Sequence, residues 1–179
     1  PYRRQRQMCI RDRYILSWYG PFHSIEEMEE WQCQQNIDFC LYLLQGKKPN
    51  AKIYSYYCGQ TIRTVPKRFK DKNHHINEIP NRRNIWIGAF ENRYNKEDIN
   101  IAENMFIYLL TEKINKTQRI NNRSLYFHAR DYNVCFISRW YNPTSCQQPE
   151  DSIKLVFPEV VTYFADTDEV KVAKRLRSL

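Results

Sequence analysis

Hydrophobic residues recur with a helical period in two stretches of the chain. Residues 24–35 place Ile25 and Met28 on one face, and they carry acidic residues in the first turns behind Ser24, which has capping-box spacing to a glutamate. This pattern predicts a helix. Residues 97–115 predict the longest helix, because their apolar stripe is the strongest in the chain. The positions of that stripe are Ile99, Ala102, Met105, Phe106, Leu109 and Leu110.

Short runs rich in β-branched and aromatic residues predict strands. Residues 38–44 and 53–58 are two such runs, and the turn-forming residues 45–52 between them indicate a hairpin. Residues 84–90 predict a third strand. Between the hairpin and this strand, residues 64–74 predict a further helix. Thr64 is a suitable N-cap, and Pro66 falls in the first turn, where proline is tolerated.

The C-terminal part of the chain is also rich in strand-forming residues. Runs at 124–129, 133–140 and 152–157 predict strands. Two interpretations of this part stay open. Arg139 and Trp140 lie beside turn-rich sequence and could contact DNA, since aromatic and basic groups are interleaved there. Alternatively, the segment extends the sheet and covers hydrophobic surface.

The order of these elements predicts an α+β fold. We expect a small three-stranded mixed or antiparallel sheet with flanking helices in the order β-β-α-β-α, over residues 37–124, with a β-rich extension at 125–179. A helix at 24–36 would pack on this core. Residues 1–23 are expected to form a disordered arm. Residues 1–13 hold five arginines and one aspartate, and their MCIRDR run resembles a translated sequencing adapter, so we expect an artefactual origin for them.

The charge of the chain favours an anionic partner. The net charge is +8, and a basic balance of this kind favours nucleic acid through counterion release. Residues 60–95 hold eight basic and three acidic side chains. No apolar run is long enough for a transmembrane helix, and no export signal is recognisable. Six cysteines lack zinc-site or disulfide spacing, so we expect a cytoplasmic protein with no membrane partner.

Glu103 is the polar residue of greatest interest on the long predicted helix. A carboxylate inside an apolar arc is costly unless it is paired or bound to a metal. Two explanations stay open from the helical wheel: a salt bridge to a buried arginine, or a metal site. The apolar residues that flank it on the wheel are Ile99, Phe106, Ile107, Leu110 and Ile114.

Taken together, these elements resemble the GIY-YIG nuclease family over residues 37–124. The chain contains the family's elements in the family's order. They are two tyrosine tripeptides on a hairpin, an arginine on the next helix, a third strand and a glutamate that opens an AE-x-x-F-I motif. The matching residues are Cys40-Leu41-Tyr42, Tyr57-Cys58-Gly59 followed by Gln60-Thr61, Arg68-Phe69, the run IWIGAF, Ala102 to Ile107 preceded by Glu97-Asp98, and Asn121 or Asn122.

The resemblance implies a Mg²⁺-dependent DNA endonuclease that hydrolyses phosphodiester bonds. Glu103 would hold one Mg²⁺ (or Mn²⁺) per active site, as magnesium suits few protein ligands and many waters. Arg68 would contact the phosphate. Tyr42 or Tyr57 would orient or deprotonate the attacking water.

Further residues receive roles from the same resemblance. His75 or His74 is an acid/base candidate, Asn122 or Asn121 would position the glutamate, and Gly59 is a structural glycine. Arg63 stays open as the alternative functional arginine. The candidate DNA-binding residues are Arg63, Lys67, Lys70, Lys72, Arg82 and Arg83.

The partner implied is double-stranded DNA, and a homodimer would allow one active site per strand. The alternative function is a non-catalytic nucleic-acid-binding module on the same scaffold. It would bind in a salt-sensitive way without cleavage, whereas the retained tyrosines, arginine, glutamate and asparagine favour the enzyme. A structural β-rich protein with incidental tyrosines explains neither the glutamate nor the basic helix.

Overall fold

The computed structural model describes residues 10–37, 39–72, 74–91, 94–110, 131–147 and 157–173. The strands are β1 Ile10–Phe22, β2 Cys40–Lys47, β3 Ser55–Thr61, β4 Asn81–Phe90, β5 Asn133–Tyr141, β6 Val160–Phe164 and β7 Glu169–Ala173. The helices are α1 Ile25–Gln35, α2 Val65–Phe69 and α3 Lys96–Tyr108, with a single 3-10 turn at His75–Glu78.

All seven strands belong to one curled mixed sheet with the order β3-β2-β4-β1-β5-β6-β7. β1 runs antiparallel to β4 and parallel to β5, and the other neighbouring strands are antiparallel. The expected three-stranded sheet with flanking helices was therefore wrong. The three strands β3, β2 and β4 do lie side by side, but β1 pairs with the edge of β4 that a three-stranded sheet would leave bare.

β1 occupies the centre of the sheet, where the sequence predicted a disordered arm. That expectation was wrong for residues 10–22, which form the longest strand. Leu16 and Trp18 are fully buried on one face of β1, and Ser17 between them points to the other face. This period-two pattern specifies a strand with one face in the core. The five arginines among residues 1–13 made charge the most prominent feature of this segment, and the strand pattern was missed.

The C-terminal strands extend the sheet and cover hydrophobic surface. β5 confirms the strand predicted at 133–140, and its Trp140 is buried with its ring stacked 5.3 Å from that of Trp18. Trp140 therefore cannot stack on a DNA base, and the DNA-contact interpretation was wrong for it. Arg139 forms a salt bridge of 3.1 Å with Glu91. The strand predicted at 124–129 and nearly all of the one at 152–157 lie outside the described residues.

Two hydrophobic clusters fill the two faces of the sheet. α3 packs on one face, and α1, α2 and the 3-10 turn pack on the other. β2 lies between the clusters and is buried on both sides, with Leu41 and Leu43 facing α3 while Tyr42 and Leu44 face α2. A strand buried on both faces reads as a continuous apolar run, which explains why it was recognisable in the sequence.

The helices follow from local capping signals. Ser24 caps α1 by accepting a hydrogen bond from the Glu27 amide at 3.1 Å, which confirms the helix predicted at 24–35. α3 begins behind a capping box formed by Asn95 and Asp98. Tyr14 of β1 donates to the Asp98 carboxylate at 2.6 Å, so the cap also ties α3 to the central strand.

α2 is shorter than the helix predicted at 64–74. It ends at Phe69, and the chain then turns back through Asp71 toward the 3-10 turn. The Asp71 carboxylate binds two arginine side chains from the preceding residues. These ion pairs stabilise a turn where the apolar pattern alone would have continued the helix.

Candidate active site

Tyr42 lies over a glycine on the neighbouring strand. Tyr42 of β2 and Gly59 of β3 are directly opposed in the antiparallel register. A Cβ atom at Gly59 would lie 2.4 Å from the Tyr42 hydroxyl and 2.5 Å from its Cζ. No side chain fits at that distance, so Gly59 is required by the close approach of a phenol ring to the backbone.

His74 fixes the Tyr42 hydroxyl in a buried hydrogen bond. The His74 Nε2 atom lies 2.8 Å from the Tyr42 hydroxyl, and the Ile76 amide donates to His74 Nδ1 at 3.1 Å. Because Nδ1 accepts a hydrogen bond from the Ile76 amide, we assign the ring hydrogen to Nε2, which donates to Tyr42. Burial, with the nearby charge of Arg68, lowers the pKa of His74 to about 4, so the ring is neutral at neutral pH.

Tyr42 and Tyr57 form a phenol pair with stacked rings 6.0 Å apart. Burial raises the pKa of both hydroxyls, and the neighbouring Tyr57 raises the pKa of Tyr42 further. Both phenols therefore stay protonated at neutral pH.

Charges of opposite sign act on the Tyr57 hydroxyl. Burial raises the pKa of Tyr57 most, the charge of Glu103 raises it further, and the charge of Arg68 lowers it. Arg68 also lowers the pKa of Tyr42. Arg68 and Glu103 belong to helices on opposite faces of the sheet, and what they share is an electrostatic influence on the Tyr57 hydroxyl.

Arg68 is held in place by Asp71, a residue that sequence reasoning missed. Arg68 Nη1 lies 2.5 Å from Asp71 Oδ2, and Arg63 Nη2 binds the same oxygen at 2.8 Å. The hydrogen bond from Arg68 is the main reason why the pKa of Asp71 is lowered. Both arginines thus share one carboxylate, but Arg68 is the one that acts on the phenols. The i,i+3 spacing of Arg68 and Asp71 in the sequence could have predicted this ion pair.

The two adjacent histidines have different environments. His74 is buried against Tyr42. The His75 side chain is 41% exposed, its Nδ1 is paired with the Glu78 carboxylate, and its ring centroid lies 5.2 Å from that of Tyr57. A carboxylate on Nδ1 fixes the tautomer that leaves Nε2 as the basic nitrogen. His75 is therefore suited to proton transfer, whereas His74 positions a phenol.

Glu103 is half-buried and bound by an amide from β3. Gln60 Nε2 donates to Glu103 Oε2 at 3.0 Å and to Asn100 Oδ1 at 2.5 Å. These side chains gather oxygen atoms, which are the donors that Mg²⁺ takes. Within the described ranges, no group of three or more His, Cys, Asp or Glu side chains could hold a metal, so a site here would depend on one carboxylate and water.

A buried glutamine, also missed in the sequence, anchors the helix that carries Arg68. Gln32 of α1 is 1% exposed. Its Oε1 accepts from the Val65 amide at the start of α2 at 2.9 Å, and its Nε2 donates to the Ile37 carbonyl. Gln32 follows Met28 by four residues on the buried face of α1, and this position on the apolar face was the signal that could have identified it.

The candidate DNA-binding residues lie on two separate surfaces. Arg63 and the exposed Lys67, Lys70 and Lys72 lie on or beside α2, the helix that carries Arg68. Arg82 and Arg83 lie at the start of β4, where Asn81 pairs with Lys47 at the far end of β2. At about 3.3 Å per residue, Lys47 is roughly 17 Å along β2 from Tyr42.

Asn122 and its alternative Asn121 lie outside the described residues. No protein-family model matches the chain, and no curated protein or solved structure matches it either. No helix among residues 10–110 or in the later described ranges has the length and apolar character needed to span a membrane. Function is therefore inferred from the side chains around Tyr57.

Proposed function

We propose that this chain is a Mg²⁺-dependent endonuclease of the GIY-YIG type that hydrolyses phosphodiester bonds in double-stranded DNA. One observation carries the proposal: the Tyr57 phenol stacks on Tyr42, and both Arg68 and Glu103 lie within electrostatic reach of its hydroxyl. Phosphodiester hydrolysis needs a positioned water, a group that takes its proton and positive charge at the phosphate. This region offers a candidate for each.

Tyr57 orients the attacking water in this proposal. Its hydroxyl lies in the stacked phenol pair, and a phenol can donate one hydrogen bond to a water or phosphate oxygen. Burial raises the pKa of Tyr57, so the phenol stays protonated and works as a hydrogen-bond donor. Tyr42 is a positioning residue, because its buried hydroxyl is hydrogen-bonded to His74.

His75 is the proton acceptor in this scheme. As water attacks phosphorus, a new P–O bond forms and the P–O bond to the leaving sugar oxygen breaks. The proton of the attacking water passes to His75 Nε2, and the leaving oxygen takes a proton from solvent water. The Glu78 carboxylate on Nδ1 stabilises the imidazolium that results. Arg68 donates to a phosphate oxygen with N–H groups that its ion pair with Asp71 does not use, since a guanidinium carries five donors.

Glu103 fits the role of magnesium ligand. It is a half-buried carboxylate whose neighbours Gln60 and Asn100 carry amide oxygens, and this hard-oxygen set suits Mg²⁺ better than zinc or copper. When bound, the ion would supply positive charge to the phosphate and leaving oxygens. Gln60 keeps the carboxylate oriented through its hydrogen bond to Oε2.

The test is cleavage of supercoiled plasmid with and without Mg²⁺. Glu103→Gln keeps the shape of the side chain and removes its charge, and we expect it to lower cleavage by at least about 100-fold. Glu97→Gln is the matched control, because Glu97 is an exposed carboxylate in the first turn of the same helix. Nicked product would indicate one active site acting at a time, and direct linear product would indicate a homodimer.

Equal cutting by Glu103→Gln and by the unchanged protein would overturn the metal assignment. An intact plasmid under all conditions, with salt-sensitive DNA binding retained, would instead support the non-catalytic binding module. The exposed Lys67, Lys70 and Lys72 favour that second candidate, because they can bind phosphates whether or not the site is active.

A further inference from the structure

A second basic surface lies at the end of the sheet remote from the phenol pair. We name it the far-end basic surface and define it as Lys47, Lys48, Lys52, Arg82 and Arg83. None of these five side chains forms a salt bridge with an acidic residue in the part of the chain that the structure describes. Five neighbouring cations without carboxylate partners produce a positive potential that attracts anions.

Two open clefts divide this surface, and Arg82 lines both. One cleft, of about 480 Å³, is also lined by Arg83, Tyr54 and His23, and the other, of about 410 Å³, by Lys47 and Lys48. No acidic residue lines either cleft. Both clefts are open to solvent, as a surface for an extended polyanion requires.

The backbone presents Arg82 through a strained bulge. Gln45 pairs with Asn84 and Lys47 pairs with Asn81, so β4 has one more residue than β2 in this interval. Arg82 occupies this bulge with a φ of 49°, a left-handed conformation that costs a side chain such as arginine about 1 kcal/mol. Bulges redirect side chains, and here the bulge directs Arg82 to the junction of the two clefts.

Neighbouring contacts hold the other groups of the surface in place. Lys47 Nζ donates to the Lys52 carbonyl at 2.8 Å and lies 4.8 Å from the centroid of the Tyr54 ring. His23 Nδ1 is bonded to Asn84 Oδ1 at 3.0 Å. The surface therefore presents cations that neighbouring groups hold in place, and such cations can neutralise successive phosphates of a duplex backbone.

We infer that the far-end basic surface binds the phosphate backbone of a nucleic-acid duplex at a distance from the cleaved bond. The inference rests on the proposed function in that the duplex is the one cleaved near Tyr57. The separation of roughly 17 Å along β2 corresponds to about five base pairs at 3.4 Å each. This second contact would set where along the duplex the scissile phosphate lies.

The experiment measures binding of a labelled 24-base-pair duplex in EDTA over a range of salt concentrations. Arg82→Asn removes one charge and keeps the bulge, since asparagine tolerates the left-handed conformation. If Arg82 neutralises one phosphate, the slope of log K against log salt falls in magnitude by about 0.9, and affinity at 0.1 M salt falls about eightfold. Arg82→Lys keeps the positive charge, so we expect it to retain most of the salt slope and most of the affinity of the unchanged protein.

Lys171→Asn is the matched control, because it removes one charge from β7 at the opposite edge of the sheet. Equal slopes for Arg82→Asn and Lys171→Asn would overturn the inference. Loss of binding to phosphatidylserine vesicles by Arg82→Asn, with an unchanged duplex slope, would also overturn it and assign the surface to lipid headgroups. A reduced duplex slope supports the inference even if the unchanged protein cleaves no plasmid, in which case only the hydrolytic function fails.

Discussion

The close approach of Tyr42 to Gly59 makes Gly59→Ala the most informative substitution in this protein. The new Cβ would lie 2.4 Å from the Tyr42 hydroxyl, whereas relaxed contacts between heavy atoms are about 3.5 Å. The ring must therefore move by about 1 Å. Tyr42 is fully buried, so this movement displaces packed neighbours and stretches the 2.8 Å contact to His74 beyond hydrogen-bond length.

We expect Gly59→Ala to lower the free energy of unfolding by about 3 kcal/mol. Overpacking of a filled core costs about 1–3 kcal/mol, and a buried hydrogen bond left unmade adds about 1–3 kcal/mol. The same shift misplaces the phenol pair, so plasmid cleavage falls by about 100-fold. Gly46→Ala is the control in the same hairpin, where the nearest atom to a new Cβ lies 3.1 Å away, and we expect a smaller loss.

A double-mutant cycle in urea tests the cause of this loss. Tyr42→Leu removes the two nearest atoms that the new Cβ meets and leaves only Tyr57 Cε1, at 3.0 Å, so adding Gly59→Ala to it should cost less than about 1 kcal/mol. The coupling energy between the two sites is then about 2 kcal/mol, well above the error of additive sites. An equal cost of Gly59→Ala in both backgrounds would refute the steric explanation and assign the effect to strand propensity.

Three further predictions concern the phenol pair and the groups that support it. Tyr57→Phe should reduce plasmid cleavage by about 100-fold or more and leave the urea midpoint nearly unchanged, whereas Tyr42→Phe should lower stability by about 1–3 kcal/mol, because the His74 Nε2–H loses its acceptor. The pKa of His74 is about 4 in the folded state and about 6.5 when unfolded. The unfolded state therefore takes up the proton first as the pH falls. About 3 kcal/mol of stability, present above pH 6.5, should be lost toward pH 4, and urea titrations of His74→Gln should lack this loss. Gln32→Leu should cost about 2 kcal/mol and speed hydrogen exchange at the Val65 amide, and unchanged exchange there would exclude Gln32 as the anchor of α2.

The sequence predicted the elements whose pattern is local. α1, α3, β2, β3 and β4 follow from capping residues, a 3.6-residue period and short β-rich runs. The structure confirms them within a few residues, except that the end predicted for α3 at residue 115 lies outside the described residues. The relation of β1 to β4 and β5 depends on partners about 70 and 120 residues away. No local pattern carries such pairing, so the size of the sheet could not be predicted.

The candidate site shows the same division. Tyr42, Gly59 and Glu103 were singled out from motif order. The structure adds the close approach of Tyr42 to Gly59 and the hydrogen bond from Gln60 to Glu103. Whether His74 or His75 faces Tyr42 depends on where α2 ends, and α2 ends early because of ion pairs to Asp71. That choice is made by tertiary contacts and was open in the sequence.

The parallel pairing of β1 with β5 has a consequence for how the chain assembles during synthesis. β1 ends at residue 22 and β5 ends at residue 141, so at about 5–20 residues per second the ribosome needs on the order of 6–24 s to make the partner. Until then β1 can pair with β4 but has one unsatisfied edge, which is a site for intermolecular strand addition. We expect nascent chains stalled before β5 to be strongly aggregation-prone and to be rescued when a chaperone covers that edge.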